Sequence, residues 1–108
     1  MAIKIMGIKN NLIEKAIKII QIDNDNCVVL LDFFDPFFKD NKQLASKNIF
    51  LLDRKEDIKW IVHSDLLISG GFVDILFKEN NLKAVSWNTG LYKIDLGTGF
   101  ATPEILLK

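Results

Sequence analysis

Residues 72–96 read FVDILFKENNLKAVSWNTGLYKIDL, three short apolar runs separated by two polar turns. In the first run, the odd-numbered residues from Val73 to Phe77 fall on one face of a strand, and Asp74 lies on the other. The turns contain an Asn pair and Gly90, residue types that accept the left-handed backbone of tight turns. The stretch therefore predicts three consecutive antiparallel strands.

The same succession of apolar runs and polar turns extends outward over most of the chain. Residues 48–53 (NIFLLD) and 58–63 (IKWIVH) flank a charged loop, and residues 104–107 follow a Gly-Thr-Gly turn. Short apolar runs at intervals of roughly eight to twelve residues are typical of all-β folds. The sequence predicts a mainly all-β antiparallel meander of about seven or eight strands. The meander would form a curved sheet, a half-barrel or a small barrel.

Residues 11–20 (NLIEKAIKII) fit two different structures. Their apolar residues follow helical spacing, and Asn11 with Glu14 has the spacing of a capping box. Against a helix, β-branched Ile dominates the second half, and residues 23–26 (DNDN) read as a turn. We expect a strand–turn–strand over residues 16–33, and a short N-terminal helix before it stays open.

Length and charge set the broad class of protein. The chain has 108 residues, and we expect residues 1–108 to fold as a single domain. Fourteen Lys and Arg balance fourteen Asp and Glu, so the formal net charge is zero. Nucleic-acid binders usually carry excess basic charge to neutralise phosphates, so we expect no direct nucleic-acid binding. The single Cys excludes an intramolecular disulfide.

Targeting signals and membrane spans are not recognisable in the sequence. Residues 1–10 (MAIKIMGIKN) lack the uninterrupted apolar core of a secretory signal, because Lys4 and Lys9 interrupt it. The longest fully apolar run covers residues 27–31, far short of the roughly 18 residues that a membrane helix needs. We therefore expect a cytoplasmic protein that does not associate with membranes.

Candidate catalytic and metal-binding groups are few. His63 is the one histidine, and Ser64 and Asp65 follow it in sequence. Adjacent residues on a strand point to opposite faces, so these three side chains cannot form a hydrogen-bonded catalytic triad by being next to each other. Cys27 lies in an apolar run, where a thiol is expected to be buried and inert. Residues 23–26 begin like a calcium loop but lack the Gly and the Glu that complete one. We expect no enzymatic activity, no metal and no cofactor.

Four phenylalanines surround Pro36 at the start of a long aperiodic loop, residues 34–47. They are Phe33, Phe34, Phe37 and Phe38. Because Pro36 forces a turn, the four rings cannot all lie on one strand face. We favour the interpretation that they plug an open end of the core. The alternative is an exposed patch that binds a protein, including a second copy of this chain.

Several charged and aromatic side chains are candidates for binding a partner. Acidic residues lie in or beside the charged loop after residue 53, and others lie in further predicted loops. Clustered at one end of the fold, they would form a negative patch for a basic partner. Trp and Tyr are frequent interface anchors, although in a half-buried sheet they also form core pairs. The candidate partner-binding residues are Asp35, Asp53, Glu56, Asp57, Asp65, Trp87 and Tyr92.

A set of short motifs extends over residues 48–108. They are a strand ending in Asp53, Ile58-Lys59-Trp60, Trp87-Asn88-Thr89-Gly90, Tyr92-Lys93-Ile94-Asp95 and Thr98-Gly99. In these motifs the chain resembles a family of small bacterial β-proteins. Proteins of this kind recur as immunity proteins of toxin–immunity systems, including contact-dependent growth inhibition. The resemblance implies a protein that binds one cognate toxin domain, commonly a nuclease, and blocks its active site.

A second function stays open beside the immunity protein. An open barrel lined by Phe and Ile side chains would hold an apolar small molecule, as a carrier protein does. The two functions differ in what stabilises the fold, because only a carrier gains thermal stability from small lipophilic ligands. An enzyme ranks last, since no candidate base or nucleophile stands out.

Overall fold

Eight antiparallel β-strands in two four-stranded sheets make up most of the described chain. The structure is a computed structural model that describes residues 12–64, 71–87 and 90–106. The first sheet contains β1 (Ala16–Gln21), β2 (Asn26–Leu31), β3 (Ile49–Asp53) and β4 (Ile58–Ile61), and the second contains β5 (Phe72–Lys78), β6 (Asn81–Ser86), β7 (Gly90–Ile94) and β8 (Ala101–Leu106). Strands that are neighbours in a sheet are also neighbours in sequence. The predicted mainly all-β antiparallel meander is confirmed.

The two sheets pack face to face, and the described strands do not close into a barrel. On one side, a single parallel bridge joins His63, after β4, to Phe100, before β8. On the other side, β1 and β5 lie next to each other but share no ladder of backbone hydrogen bonds in the described chain. Of the shapes that the sequence left open, the structure therefore has curved sheets.

The central strands of the first sheet, β2 and β3, are buried on both faces. Alternate residues of β2 and β3, such as Val28 and Leu51, pack against the second sheet. The opposite face is covered by α1 (Leu12–Lys15) and by two 3-10 helices, Pro36–Lys39 and Lys42–Leu44. A strand that is buried on both faces carries apolar residues at successive positions instead of alternating apolar and polar ones. This double burial explains the continuous apolar runs in these two strands.

The second sheet buries one face only, and a β-bulge in β5 changes which residues point inward. Phe72 pairs with Ser86 while Asp74 pairs with Val85, so Val73 is the extra residue. Phe72 and Ile75 are buried, whereas Val73 is exposed. The prediction that Val73 shares the inward face with Ile75 is therefore wrong, because strict alternation does not survive a bulge.

The N-terminal segment contains both structures that its sequence allowed. α1 covers four residues, and β1 follows it directly. The strand–turn–strand prediction is confirmed by the pairing of β1 with β2 across residues 22–25. The short N-terminal helix is present as well.

The phenylalanine cluster is divided between the core and the surface. Phe38 is buried, and the Phe37 ring stacks edge-on against both Phe38 and Phe50 in the layer beneath the first sheet. These two rings plug the core as predicted. Phe34, in contrast, is 82% exposed, and its ring lies 4.7 Å from that of Phe33. The plug interpretation is therefore wrong for Phe34.

Two junctions connect the sheets. At the first, Asn48 is fully buried, and its Nδ2 donates to the backbone oxygens of Leu31 and Phe72, while its Oδ1 accepts from Phe72 N at 2.8 Å. At the second, Trp60 Nε1 donates to the Leu96 oxygen at 2.8 Å. Gly99, in the turn predicted before the last strand, lies against the Trp60 ring and has a φ of +81°.

The turns of the second sheet differ in detail from the prediction. Positive φ values occur at Glu79 and Asn80, whereas Asn81, the second residue of the predicted Asn pair, already belongs to β6. β8 starts at Ala101, three residues before the predicted strand. The Asp95 carboxylate accepts hydrogen bonds from the backbone N–H groups of Gly97 and Thr98 in the turn. These bonds stabilise a tight reversal, so β8 begins soon after the turn.

Candidate protein-binding surface

Two charged loops lie side by side at one end of the first sheet. Asn26 at the start of β2 pairs with Asp53 at the end of β3, which places the β1–β2 loop beside the β3–β4 loop. Arg54 Nη1 lies 3.5 Å from Asp25 Oδ1 across the gap. Lys59 Nζ donates to Asn26 Oδ1 at 2.9 Å. The contacts show that the two loops form one continuous surface.

The β1–β2 loop is held in shape by its own first carboxylate. Asp23 Oδ1 accepts from Asp25 N at 2.8 Å and from Asn26 Nδ2 at 3.0 Å. These hydrogen bonds, above all the one from the Asn26 side chain, lower the pKa of Asp23 below its ordinary value of 3.8. Asp23 therefore positions the loop, and the Asp25 side chain is left exposed at its tip.

The β3–β4 loop is built in the same way. Asp53 Oδ1 accepts from Lys55 N at 2.8 Å and from Asp57 N at 3.0 Å. This turn gives Glu56 a φ of +65°, in the left-handed region, and its side chain is exposed. One carboxylate in each loop orders the backbone, while another points into solvent.

Negative charge dominates the surface formed by the two loops, which we name the acidic end. Its carboxylates are Asp23, Asp25, Asp53, Glu56 and Asp57, and its cationic side chains are Arg54, Lys55 and Lys59. Five carboxylates thus face three cations. A groove of about 310 Å³ runs between the loops, with Cys27 and Ile13 in its lining. The acidic end offers charge and a shallow depression to a partner.

The predicted partner-binding residues do not all lie on one surface. Asp53, Glu56 and Asp57 belong to the acidic end. Asp35 follows the far end of β2, where its Oδ1 accepts from Phe37 N at 2.8 Å and caps a 3-10 helix. Asp65 lies outside the described residues.

The two aromatic candidates have opposite surroundings. Trp87 is 53% exposed, close to Gly71, whose oxygen accepts from Trp87 N at 3.0 Å. Tyr92 is only 8% exposed and packs edge-on against Phe72 inside the core. The sheet covers almost all of the Tyr92 side chain, which packs in the core, so its contact with a partner stays a prediction.

Sequence reasoning missed Asp23 and Asp25 as part of this surface. The sequence predicts a polar turn at residues 23–26, and the structure has one there. The sequence pattern does not show that this turn lies beside the β3–β4 loop. In a meander, alternate loops lie at the same end of the sheet. The strand order alone therefore brings the β1–β2 and β3–β4 loops together.

The groups considered for catalysis lie apart. Cys27 pairs with Leu52 near the acidic end, whereas His63 follows Val62, which pairs with Ile49 at the opposite end of the sheet. Burial, and to a smaller degree the nearby Glu56, raises the pKa of the Cys27 thiol above its ordinary value. Among the described residues, no three His, Cys, Asp or Glu side chains are arranged to hold a metal ion.

Comparison with known proteins gives no assignment. No family model matches the chain, and neither does any curated protein or solved structure. In the described part of the chain, no helix is both long and apolar enough to cross a membrane. The function of this chain is therefore inferred from its own sequence and surfaces.

Proposed function

We propose that the protein is an immunity protein, which binds a cognate bacterial toxin domain and neutralises it by covering its active site. The observation that carries the proposal is the acidic end, where two adjacent loops and the start of β4 carry five carboxylates and three cations. The proposal is also supported by the motifs of residues 48–108, in which the chain resembles small bacterial immunity proteins.

The proposed target is a toxin with a basic cleft, in particular a nuclease. A nuclease binds phosphate oxygens with Lys and Arg side chains. Carboxylates on two loops can occupy the places of successive phosphates, and opposite charge speeds the encounter of the two proteins. An inhibitor of this kind works by occupying the cleft and excluding the substrate, so it needs no catalytic group of its own.

Within the acidic end, the exposed and the hydrogen-bonded carboxylates have different roles. Asp25 and Glu56 are exposed and lie on opposite sides of the gap between the loops, so they contact the toxin. Asp23 and Asp53 position the loops through their backbone hydrogen bonds. Removing a contact carboxylate should slow association, whereas removing a positioning carboxylate should also disturb the fold locally.

The first experiment captures the partner from the bacterium that makes this chain in its cytoplasm. The affinity-tagged chain is purified, and the proteins bound to it in equal amounts are identified by mass spectrometry. We expect the C-terminal domain of a large secreted protein, which is toxic when expressed alone. Recovery of no such domain, from cells shown to make one, would contradict the proposal.

Variants make the same experiment specific to the acidic end. Cells that express the captured toxin domain should grow when the wild-type chain is co-expressed. The double substitution Asp25→Lys and Glu56→Lys should lose protection, while Asp40→Lys should keep it. Asp40 is an exposed carboxylate between the two 3-10 helices, outside both loops, and is the matched control. Equal protection by both variants would remove the acidic end from the interface.

A further inference from the structure

The large apolar side chains that are exposed in the described chain share one location. They lie on β1, on β5, or on the segments next to the start of β5, and they are Ile17, Ile19, Phe34, Val73, Leu76 and Trp87. We name this strip, which follows the line where β1 and β5 meet, the edge seam. Exposed apolar residues that are scattered singly need no explanation, but a contiguous set does.

β1 and β5 are the edge strands of their sheets and are held side by side. Lys18 Nζ lies 2.8 Å from Asp74 Oδ1, which links the two strands. Ile17 precedes this ion pair on β1, and Val73 precedes it on β5. Each lies at a β-bulge near the start of its strand. Ile19 and Leu76 follow the ion pair on their strands, so apolar side chains stand on both sides of it.

Phe34 and Trp87 extend the seam at one end. The Phe34 ring lies 4.7 Å from the Phe33 ring. A Cβ atom at Gly71 would lie 3.1 Å from Phe33 Cδ2, so Phe33 packs directly against the residue that precedes β5. Gly71 O accepts from Trp87 N at 3.0 Å. These contacts connect both exposed aromatic rings to the start of β5.

The exposed area at the edge seam approaches what a stable interface requires. From their fractional exposures, the six side chains together present roughly 600 Å² of apolar surface. The largest apolar patch of a typical monomer is about 300–600 Å², and each partner in a standard interface contributes about 800 Å². The six side chains therefore supply about three quarters of the area that one partner of a standard interface buries.

The charges on the two strands of the edge seam favour a second copy of the same chain. In a two-fold dimer, the same surface of both copies forms the interface, so a surface with net charge would repel its copy. Within β1 and residues 72–76, the only charged side chains are Lys18 and Asp74, which neutralise each other. The acidic end is the opposite case, because it would repel its own copy and attracts a basic partner.

We infer that two copies of this chain associate through the edge seam into a two-fold symmetric dimer. Side chains make the contact, because bulges and the Lys18–Asp74 pair hinder the addition of a strand to either edge. Phe34 and Trp87 are the aromatic anchors. The dimer depends on none of the residues of the acidic end, so it and the proposed function can fail independently.

Sedimentation equilibrium of the purified full chain tests the dimer from about 1 µM to about 1 mM. The wild-type mass should rise from the 12.3 kDa of one chain to twice that value. Phe34→Glu and Ile19→Lys should each weaken dimerisation at least roughly tenfold, since each change occurs twice in a symmetric interface. Both side chains are exposed in the monomer, so folding should be retained, which circular dichroism would verify.

Glu56→Lys at the acidic end is the matched control and should dimerise like the wild type. A mass of one chain at all concentrations would overturn the inference, as would a dimer that both seam variants leave intact. A mass above that of two chains would also overturn it, because a two-fold contact closes on itself. If Phe34→Glu weakened binding of the toxin while the wild type stayed monomeric, the seam would belong to that partner instead.

Discussion

The junction at Asn48 and the acidic end both depend on polar side chains, but they use them in opposite ways. Asn48 is fully buried, and three backbone groups from two other segments use its donor and acceptor atoms. At the acidic end, Asp25 and Glu56 are exposed, with no backbone group held by either carboxylate among the hydrogen bonds described. The polar group that holds the sheets together is buried and hydrogen-bonded, whereas the carboxylates proposed to bind a partner are exposed.

The largest expected effect comes from removing the amide at the junction. Asn48→Ala leaves the Phe72 N–H and two backbone oxygens without their partner in a buried place, which should cost about 3 kcal/mol or more of the free energy of unfolding. Asn24→Ala, at an exposed position in the β1–β2 loop, should change it by about 0.5 kcal/mol or less. Urea denaturation of both variants measures the difference.

Equal stability of the two Asn variants would contradict the difference between the buried junction and the exposed loops. It would mean that the amide of Asn48 does not connect the sheets, and that the buried hydrogen bonds are replaced at no cost.

A smaller loss of stability is expected at the second junction. Gly99 has φ +81°, and a Cβ atom there would lie 2.6 Å from Trp60 Cε3, so Gly99→Ala strains the backbone and displaces the indole. We expect a loss of about 2 kcal/mol in the free energy of unfolding. In Gly97→Ala, the nearest atom to the new Cβ is Asp95 Oδ1, at 3.3 Å, so a shift of a few tenths of an ångström is enough and the loss should be smaller.

Thermal unfolding of the two Gly variants separates packing at the junction from a general effect of losing glycine in this turn. A melting temperature lowered equally by both substitutions would contradict the role given to the contact between Gly99 and Trp60.

At the acidic end, the expected effect is on association and not on stability. Glu56→Lys and Asp25→Lys should each slow association with the toxin by about tenfold at low salt, because they reverse charges that attract a basic cleft. Added salt should narrow the difference from the wild type, since it screens exposed charges. Stopped-flow kinetics at several salt concentrations, with Asp40→Lys as control, measures this. A difference that does not change with salt would speak against electrostatic attraction.

The smallest effect is expected for the ion pair between the sheet edges. The hydrogen bond from Lys18 lowers the pKa of Asp74 below 3.8, so its contribution to stability is present above that pH and is lost as the pH falls through the lowered pKa. Both side chains are partly exposed, at 40% and 45%, so Asp74→Asn should cost about 1 kcal/mol or less at neutral pH.

Urea denaturation at about pH 7 and about pH 2 tests this ion pair, because the difference between wild type and Asp74→Asn should shrink as the carboxyl is protonated. A double-mutant cycle with Lys18→Met isolates the pair. A difference that grew as the pH fell would mean that the Asp74 carboxyl is stabilised in its protonated form.

Local patterns predicted the strands, because alternation and turn residues act between near neighbours. The runs 72–78 and 48–53 match β5 and β3 within one residue at either end. The bulge at Val73 depends on how β5 pairs with β6, and sequence alternation alone does not contain that information. Asn48 likewise looks like an ordinary first residue of a strand, since its partners lie 17 and 24 residues away.

The site was partly predictable for the same reason. Glu56 and Asp57 were identified from a local charged loop, whereas Asp25 joins them only through the order of the strands. Trp87 and Tyr92 are both aromatic residues in or next to predicted strands, and only packing distinguishes the exposed ring from the buried one. Exposure is a property of the assembled sheets, so a sequence pattern does not fix it.

Titration of the captured toxin with this protein tests directly whether the chain blocks the active site of the toxin. The nuclease activity of the purified toxin domain is measured while the wild-type chain is added in increasing amounts. Activity should disappear at one equivalent of the wild-type chain, whereas the Asp25→Lys, Glu56→Lys double variant should need a large excess. A toxin that keeps full activity while saturated with the wild-type chain would contradict it.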